Sequence, residues 1–389
     1  MNFHTAPHLA HLSTPKNWRG GEQQIAYLAT QIDKNQKDNQ INKQTILTPK
    51  SSSLSNFITN YNQKNTNSFL KVESLKGKSK FGQARFLANF CKKNKINIIH
   101  LHDAHAHTVA ILSVVFFQNK VQLILSRRVD FPVKNNFLSK YKYNHSSIKK
   151  IICVSNKIKE ITAPSIKDKS KLITVHSGID LNKFENTDQK TSTLKQEYQL
   201  EKDTILIGNV AAIAPHKDYI TFLETAKLLI PKLENDNKKV CFFLIGKEDG
   251  SQNEVENWFG QNEKIRKYFI LTGFRNDIPI ILKELDVFLF TSQTEGLGTS
   301  ILDAFASKVV VVATAAGGIP ESVIDNKTGL LSKIKDSISL AQNVEKVLKN
   351  EELRGKLIRN ASLHLQNFTK ENTAKKTLEI YKSVLNSSK

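Results

Sequence analysis

The chain has 389 residues, 39% of them hydrophobic and 24% charged, with a formal charge of +21. That length exceeds one ordinary core and fits two domains of about 150–200 residues with a soluble composition. The apolar runs at 109–117 and 309–316 are too short to span a bilayer and no secretory leader is visible, so the expectation is a cytoplasmic protein.

Cys91, Cys153 and Cys241 are odd in number and far apart, with no C-x-x-C pair, and read as buried free thiols. The cations are mostly lysines spread among asparagines, as at 35–43 and 235–239. The absence of an arginine-rich helix or aromatic–basic interleaving argues against nucleic acid. Two explanations of the charge stay open: a compositional bias on a solvated surface, or contact with the anionic inner face of a membrane.

In chain order, a helix is expected at 20–32 and a weakly structured Asn/Lys/Ser/Thr loop at 35–77. Strands follow at 96–101, 121–126, 150–155 and 172–176, with helices at 105–117 and 156–163. A polar segment at 184–203 lacks an apolar run and reads as a linker. Strands resume at 204–210, 240–246, 269–272, 287–291 and 309–313, and the tail from 338 has helical periodicity. Such alternation predicts an α/β protein of two doubly wound parallel sheets facing across a cleft, where ligands bind beyond the strands' carboxyl ends. The expected domains are 1–183 and 204–371, with a final helix at 372–389 packing back on the first.

The most informative stretch runs from Asp286 through Ser292-Gln-Thr-Glu295-Gly-Leu297-Gly298-Thr299-Ser-Ile-Leu-Asp303 to Ala316-Gly-Gly-Ile-Pro-Glu321. It reads as a strand, a glycine turn and a helix starting near Gly298, whose free backbone N–H groups suit a phosphate. Glu295 on the turn and Asp303 along the helix are placed to bind hydroxyl groups.

This segment resembles the donor site of retaining glycosyltransferases of family 4, whose pattern is E-G-x-G-x-x-x-x-E-A followed by an apolar strand and G-G-x-x-E. Weaker likenesses follow in order. Trp18-Arg-Gly20-Gly21 is similar to the N-terminal glycine loop, His176-Ser-Gly-Ile-Asp180 to the turn closing the first domain, and Gly273-Phe-Arg275-Asn-Asp277 to the loop facing the base. Lys217 matches the lysine of R-x-x-x-x-K-G.

The resemblance implies the two-domain GT-B fold and a metal-independent transfer from a nucleotide-diphosphate sugar, which is a substrate; no cofactor is expected. It implies a glycan or glycolipid acceptor of lipopolysaccharide-core or capsule type. Glu295, Lys217 and His107 would be the catalytic group. Gly20, Gly21, Lys217, Arg275, Glu295, Leu297, Gly298, Thr299 and Asp303 would bind the donor, and His107 and Arg127 would face the acceptor.

Three departures bear on this reading. Asp303 replaces the usual glutamate, and Ala212 stands where an arginine should help hold the leaving diphosphate, leaving His216 or Arg275 to compensate. Arg127-Arg128-Val-Asp130 replaces a sugar-contacting histidine and could either bind an anion or form a salt bridge with Asp130. The cluster His100-Leu-His102-Asp103-Ala-His105-Ala-His107 allows a metal, a substrate-contacting histidine, or simple capping and packing. The alternatives to a transferase are therefore a non-catalytic nucleotide-sugar-binding protein and a metallohydrolase built on His100, His102 and His105.

Overall fold

The computed structural model describes residues 7–35, 41, 43–185 and 194–386. The chain forms two units, residues 1–178 with 370–389, and residues 179–369.

The first unit holds a parallel seven-stranded sheet of β1 (His8–Leu12), β2 (Lys43–Thr48), β3 (Leu70–Ser74), β4 (Ile96–Leu101), β5 (Gln122–Arg127), β6 (Ile148–Cys153) and β7 (Leu172–Thr174). Its order is β3-β2-β1-β4-β5-β6-β7, so the winding reverses between β1 and β4. The second unit holds β8 (Ile205–Val210), β9 (Val240–Ile245), β10 (Phe269–Gly273), β11 (Val287–Phe290), β12 (Val310–Thr314) and β13 (Leu330–Ser332). Its order is β10-β9-β8-β11-β12-β13, and the winding reverses between β8 and β11. Both are doubly wound sheets, in which ligands bind at the reversal.

Burial on both sheet faces explains why the strands read as unbroken apolar runs. In β9, Cys241, Phe243 and Ile245 enter one core of the second unit, while Val240, Phe242 and Leu244 enter the other. The three cysteines are free and buried.

Three expectations change. The stretch read as a loop at 35–77 contains β2, a helix (Ser53–Lys64) and β3, although residues 36–40 and 42 lie outside the described set. The sequence hides β2 because it buries Gln44, Thr45 and Thr48. The histidines of β1 hide that strand in the same way.

The first unit ends at Gly178 rather than at 183, because Ile179 N–H donates to Phe368 O at 2.9 Å and its side chain joins the second core. Part of the expected linker (186–193) lies outside the described residues, but Phe184 and Leu194 on either side are buried in that core. Leu194 N–H also donates to Glu284 Oε2 at 2.7 Å.

The final helix, Lys370–Asn386, groups with the first unit and buries Ala374, Leu378, Ile380, Tyr381 and Val384 against it. Residues 387–389 of the expected tail lie outside the described set.

Candidate functional site

In the second unit, the turns after β8 and β11 meet where the sheet reverses. A short 3-10 turn, Pro215–Lys217, follows β8. The loop after β11 is fastened to it: Gln293 N–H donates to His216 O at 2.9 Å, and Thr291 Oγ1 donates to Asp218 O at 3.0 Å. This fixes Lys217 with Nζ 5.2 Å from the Phe290 ring centre and in an ion pair with Glu295. Both side chains are largely buried, and Ser292 Oγ donates to Glu295 Oε1 at 3.1 Å.

Glu295 is also held by its backbone. Its carbonyl accepts from Gly318 N–H at 2.9 Å. Gly317 has φ +52°, and a Cβ there would lie 2.1 Å from Glu295 O, so only glycine fits. Beyond Glu295, Gly298 at φ 77° begins the helix Thr299–Ala306 without any side-chain cap, leaving amides of the first turn open. A concentrated patch of donors beside a lysine–glutamate pair can bind an oxyanion and the hydroxyls attached near it.

The other residues expected here divide. Asp303 lies one turn into the helix, and burial pushes its carboxyl up to about 7, opposed only weakly by Lys183. Leu297 buries its side chain in the core and offers only backbone, where its carbonyl accepts from Ser322 Oγ at 2.7 Å. Arg275 is committed elsewhere: its guanidinium pairs with Glu197 at 2.6 Å and Asp277 at 2.8 Å. It therefore does not replace the cation missing at Ala212. His216 remains beside Lys217 with its side chain exposed.

In the first unit, Gly20 and Gly21 open the helix Gly20–Lys34, and a Cβ at either would meet nothing within 4 Å. The backbone there is accessible.

His107 is not poised for proton transfer. It is buried, its Nε2 donates to Lys142 O at 3.2 Å, and its ring stands edge-on to Tyr143. Burial lowers it to about 3, so it is neutral at physiological pH.

Arg127 is likewise structural. Nε donates to Thr162 Oγ1 at 2.9 Å, Nη1 to Tyr143 OH at 2.8 Å, and Nη2 to Phe131 O. Neither Arg127 nor Arg128 pairs with Asp130. Successive residues leaving a strand point to opposite sides, and Arg128 turns instead to His102.

His11, His100 and His102 bring ring nitrogens within 4.8 Å of one another, a spacing that could hold a metal ion. In the arrangement present, hydrogen bonds engage these ring nitrogens instead. Arg128 can only donate, so His102 Nδ1 accepts from it at 3.3 Å, and His102 Nε2–H then donates to His11 Nδ1 at 3.0 Å. His11 Nε2–H passes to Gln44 Oε1 at 3.2 Å. His100 is bonded to Tyr381 OH at 2.5 Å and Ser126 Oγ at 2.7 Å. The remaining members of the proposed metal set also have other roles. His105 bonds Gln83 at 2.8 Å, and Asp103 caps the helix Ala104–Phe117.

Sequence reading did not single out Phe290 or His11, and it chose Arg127 over Arg128. Adjacent cations on a strand cannot be told apart without knowing which face is already filled.

The sequence profile described as "Glycosyltransferase Family 4" matches residues 19–183, and "Glycosyl transferases group 1" matches residues 190–364. An Escherichia coli UDP-Gal:alpha-D-GlcNAc-diphosphoundecaprenol alpha-1,3-galactosyltransferase is 25% identical over 64% of this chain and 66% of its own. A Bacillus anthracis N-acetyl-alpha-D-glucosaminyl L-malate synthase is 25% identical over 69% of each. The chain thus spans about two thirds of the length of these curated relatives. In fold it is similar to Anabaena Alr3699/HepE, solved with UDP and glucose, with a TM-score of 0.78 at 17% identity over 96% of this chain and 99% of that one.

Proposed function

As the chain belongs to the family 4 glycosyltransferases, we propose that it moves a sugar, with retention at the anomeric carbon, from a nucleoside-diphosphate sugar to a cell-envelope glycan or glycolipid. The observation that carries this is the Lys217–Glu295 pair beside the uncapped start of the helix Thr299–Ala306. Lys217 and the amides of Gly298 and Thr299 take the diphosphate and offset the charge that develops as it leaves. Glu295 takes sugar hydroxyls and Asp303 the ribose. The leaving phosphate oxygen serves as base for the incoming hydroxyl, so the protein mainly positions and stabilises charge.

On the first unit, the open backbone at Gly20 and Gly21 admits a ligand closely. The relatives named above act, by their names, on a lipid-linked saccharide and on malate. A lipopolysaccharide-core or capsule precursor at the inner membrane surface is the reading adopted for this chain. Among the described residues no helix is long and apolar enough to cross a membrane.

The test is nucleoside-diphosphate release from a panel of nucleotide sugars by wild type and Glu295→Ala, with and without EDTA. One sugar should turn over, insensitive to chelation, and the variant should lose about 10²–10³-fold. A sugar that binds without being turned over would instead establish a non-catalytic binding protein. Ala212 and the engaged Arg275 favour that second reading.

A further inference from the structure

A departing diphosphate concentrates negative charge beside the turn after β8, and the cations there are largely engaged. Lys217 is paired with Glu295, Arg275 with Glu197 and Asp277, and Ala212 supplies no charge.

The carboxyl end of β9 lies next to this turn. In the sheet, β9 stands between β8, whose end leads to Lys217, and β10, whose end leads to Arg275. The regular ladder ends with Val210 opposite Ile245, but the two chains stay in register as far as Ile213 opposite Glu248. Ala211 N–H donates to Ile245 O at 3.0 Å, Ile213 N–H to Lys247 O at 2.9 Å, and Asp249 N–H to Ile213 O at 2.9 Å. Lys247 therefore stands opposite Ala212. The chains are in close contact here, since a Cβ on Gly246 would lie 2.0 Å from Ala211 O and 3.2 Å from Ala212 N.

Residues in register on neighbouring strands share a face, and successive residues change face. Ile213 enters the core that holds Phe242 and Leu244. Ala212 and Lys247 thus face the other side, that of Phe290, on whose ring the Lys217 ammonium rests. Parallel neighbours stand about 5 Å apart, less than a lysine side chain spans, so Lys247 reaches the space that a long side chain at 212 would fill. It is also available. Lys247 is exposed, and among the described residues no carboxylate lies within ion-pair distance of it, those of Glu248 and Asp249 included.

We infer that Lys247 is a second cation for the leaving diphosphate, taking from the neighbouring strand the part of the arginine absent at Ala212. This role rests on the proposed sugar transfer. As the bond from the anomeric carbon to the β-phosphate oxygen breaks, its electron pair stays on that oxygen. The Lys247 ammonium offsets the charge there until the acceptor's proton arrives.

The test compares wild type, Lys247→Met, and Lys247→Met with Ala212→Arg. Turnover is measured with the nucleotide sugar that wild type accepts, and binding with uridine, guanosine and adenosine diphosphates and the matching monophosphates. Lys247→Met should lower kcat by about 10–100-fold and weaken the bound diphosphate about tenfold, with its monophosphate unchanged. Unchanged monophosphate binding also shows that the variant is folded. Ala212→Arg in that background should restore kcat about tenfold or more, which a merely structural lysine would not allow.

Wild-type kcat in Lys247→Met would overturn the assignment, as would equal weakening of monophosphate and diphosphate, or a double variant no better than the single one. A loss confined to His216→Ala would give the role to His216 instead. Diphosphate binding that depends on Lys247, in a protein turning over no nucleotide sugar, would remove the transfer while leaving the phosphate contact in place. A wild type that binds none of the diphosphates would remove both.

Discussion

At the scale of single residues, Lys217 is where structure and proposed chemistry meet most directly. Its ammonium is neutralised by Glu295 and rests on the Phe290 ring. A diphosphate must therefore share this lysine with Glu295, and no arginine assists from Ala212. Lys217→Met should lower kcat by about 10²–10³-fold, since one preorganised charge donor is lost at the leaving group. Steady-state kinetics check this, and a variant that keeps wild-type kcat would remove Lys217 from the mechanism. The glycines and the acidic pair of this site were legible because their spacing is local. Arg275 was not, because Glu197, the partner that occupies it, lies 78 positions away in sequence.

At the scale of elements, hydropathy revealed the strands that carry an unbroken apolar run and missed β1 and β2, whose runs are interrupted by buried, hydrogen-bonded polar groups. The second sheet was read almost strand for strand. In the first, β1 was invisible because His8 and His11 occupy core positions, each satisfied by specific partners such as Thr45 and Gln44. The final helix shows the same logic. Its apolar face buries Leu378 and Val384, yet Tyr381 reaches the His100 ring at 2.5 Å. Tyr381→Phe keeps the shape and strands a buried imidazole nitrogen, so it should destabilise the first unit by about 1–3 kcal/mol. Urea unfolding checks this. An unchanged midpoint would mean the helix is held by its apolar face alone.

For the whole molecule, acid should act on the two units in opposite directions. In the first, burial pushes His11 to about 4 and His107 to about 3, and lowers His8, His100, His102 and His145 as well. The unfolded chain protonates these rings near pH 6.5 while the folded unit does not, so stability is lost as pH falls below that value. At pH 5, His11 and His107 should each remove about 2 kcal/mol. Glu22, raised by burial, opposes this, but it is one group against six.

In the second unit, Asp303 is raised to about 7 and Glu284 is raised by burial. The folded state holds protons that the unfolded chain has already released, so stability rises as pH falls from 7 towards 5; nearer pH 4, Glu197, held low by Arg275, and Glu345, held low by Lys232, act the other way. Calorimetry between pH 7.5 and 5 should show one transition moving down on acidification and another holding or moving up. Asp303→Asn should flatten the second, and His107→Gln should lessen the fall of the first. Both transitions falling together would mean that Asp303 is hydrated in the folded protein. The same ionisation reaches function: a charged carboxylate accepts from the ribose more strongly than the neutral carboxyl, so donor affinity should increase with pH through about 7 in wild type and lose that dependence in the asparagine variant.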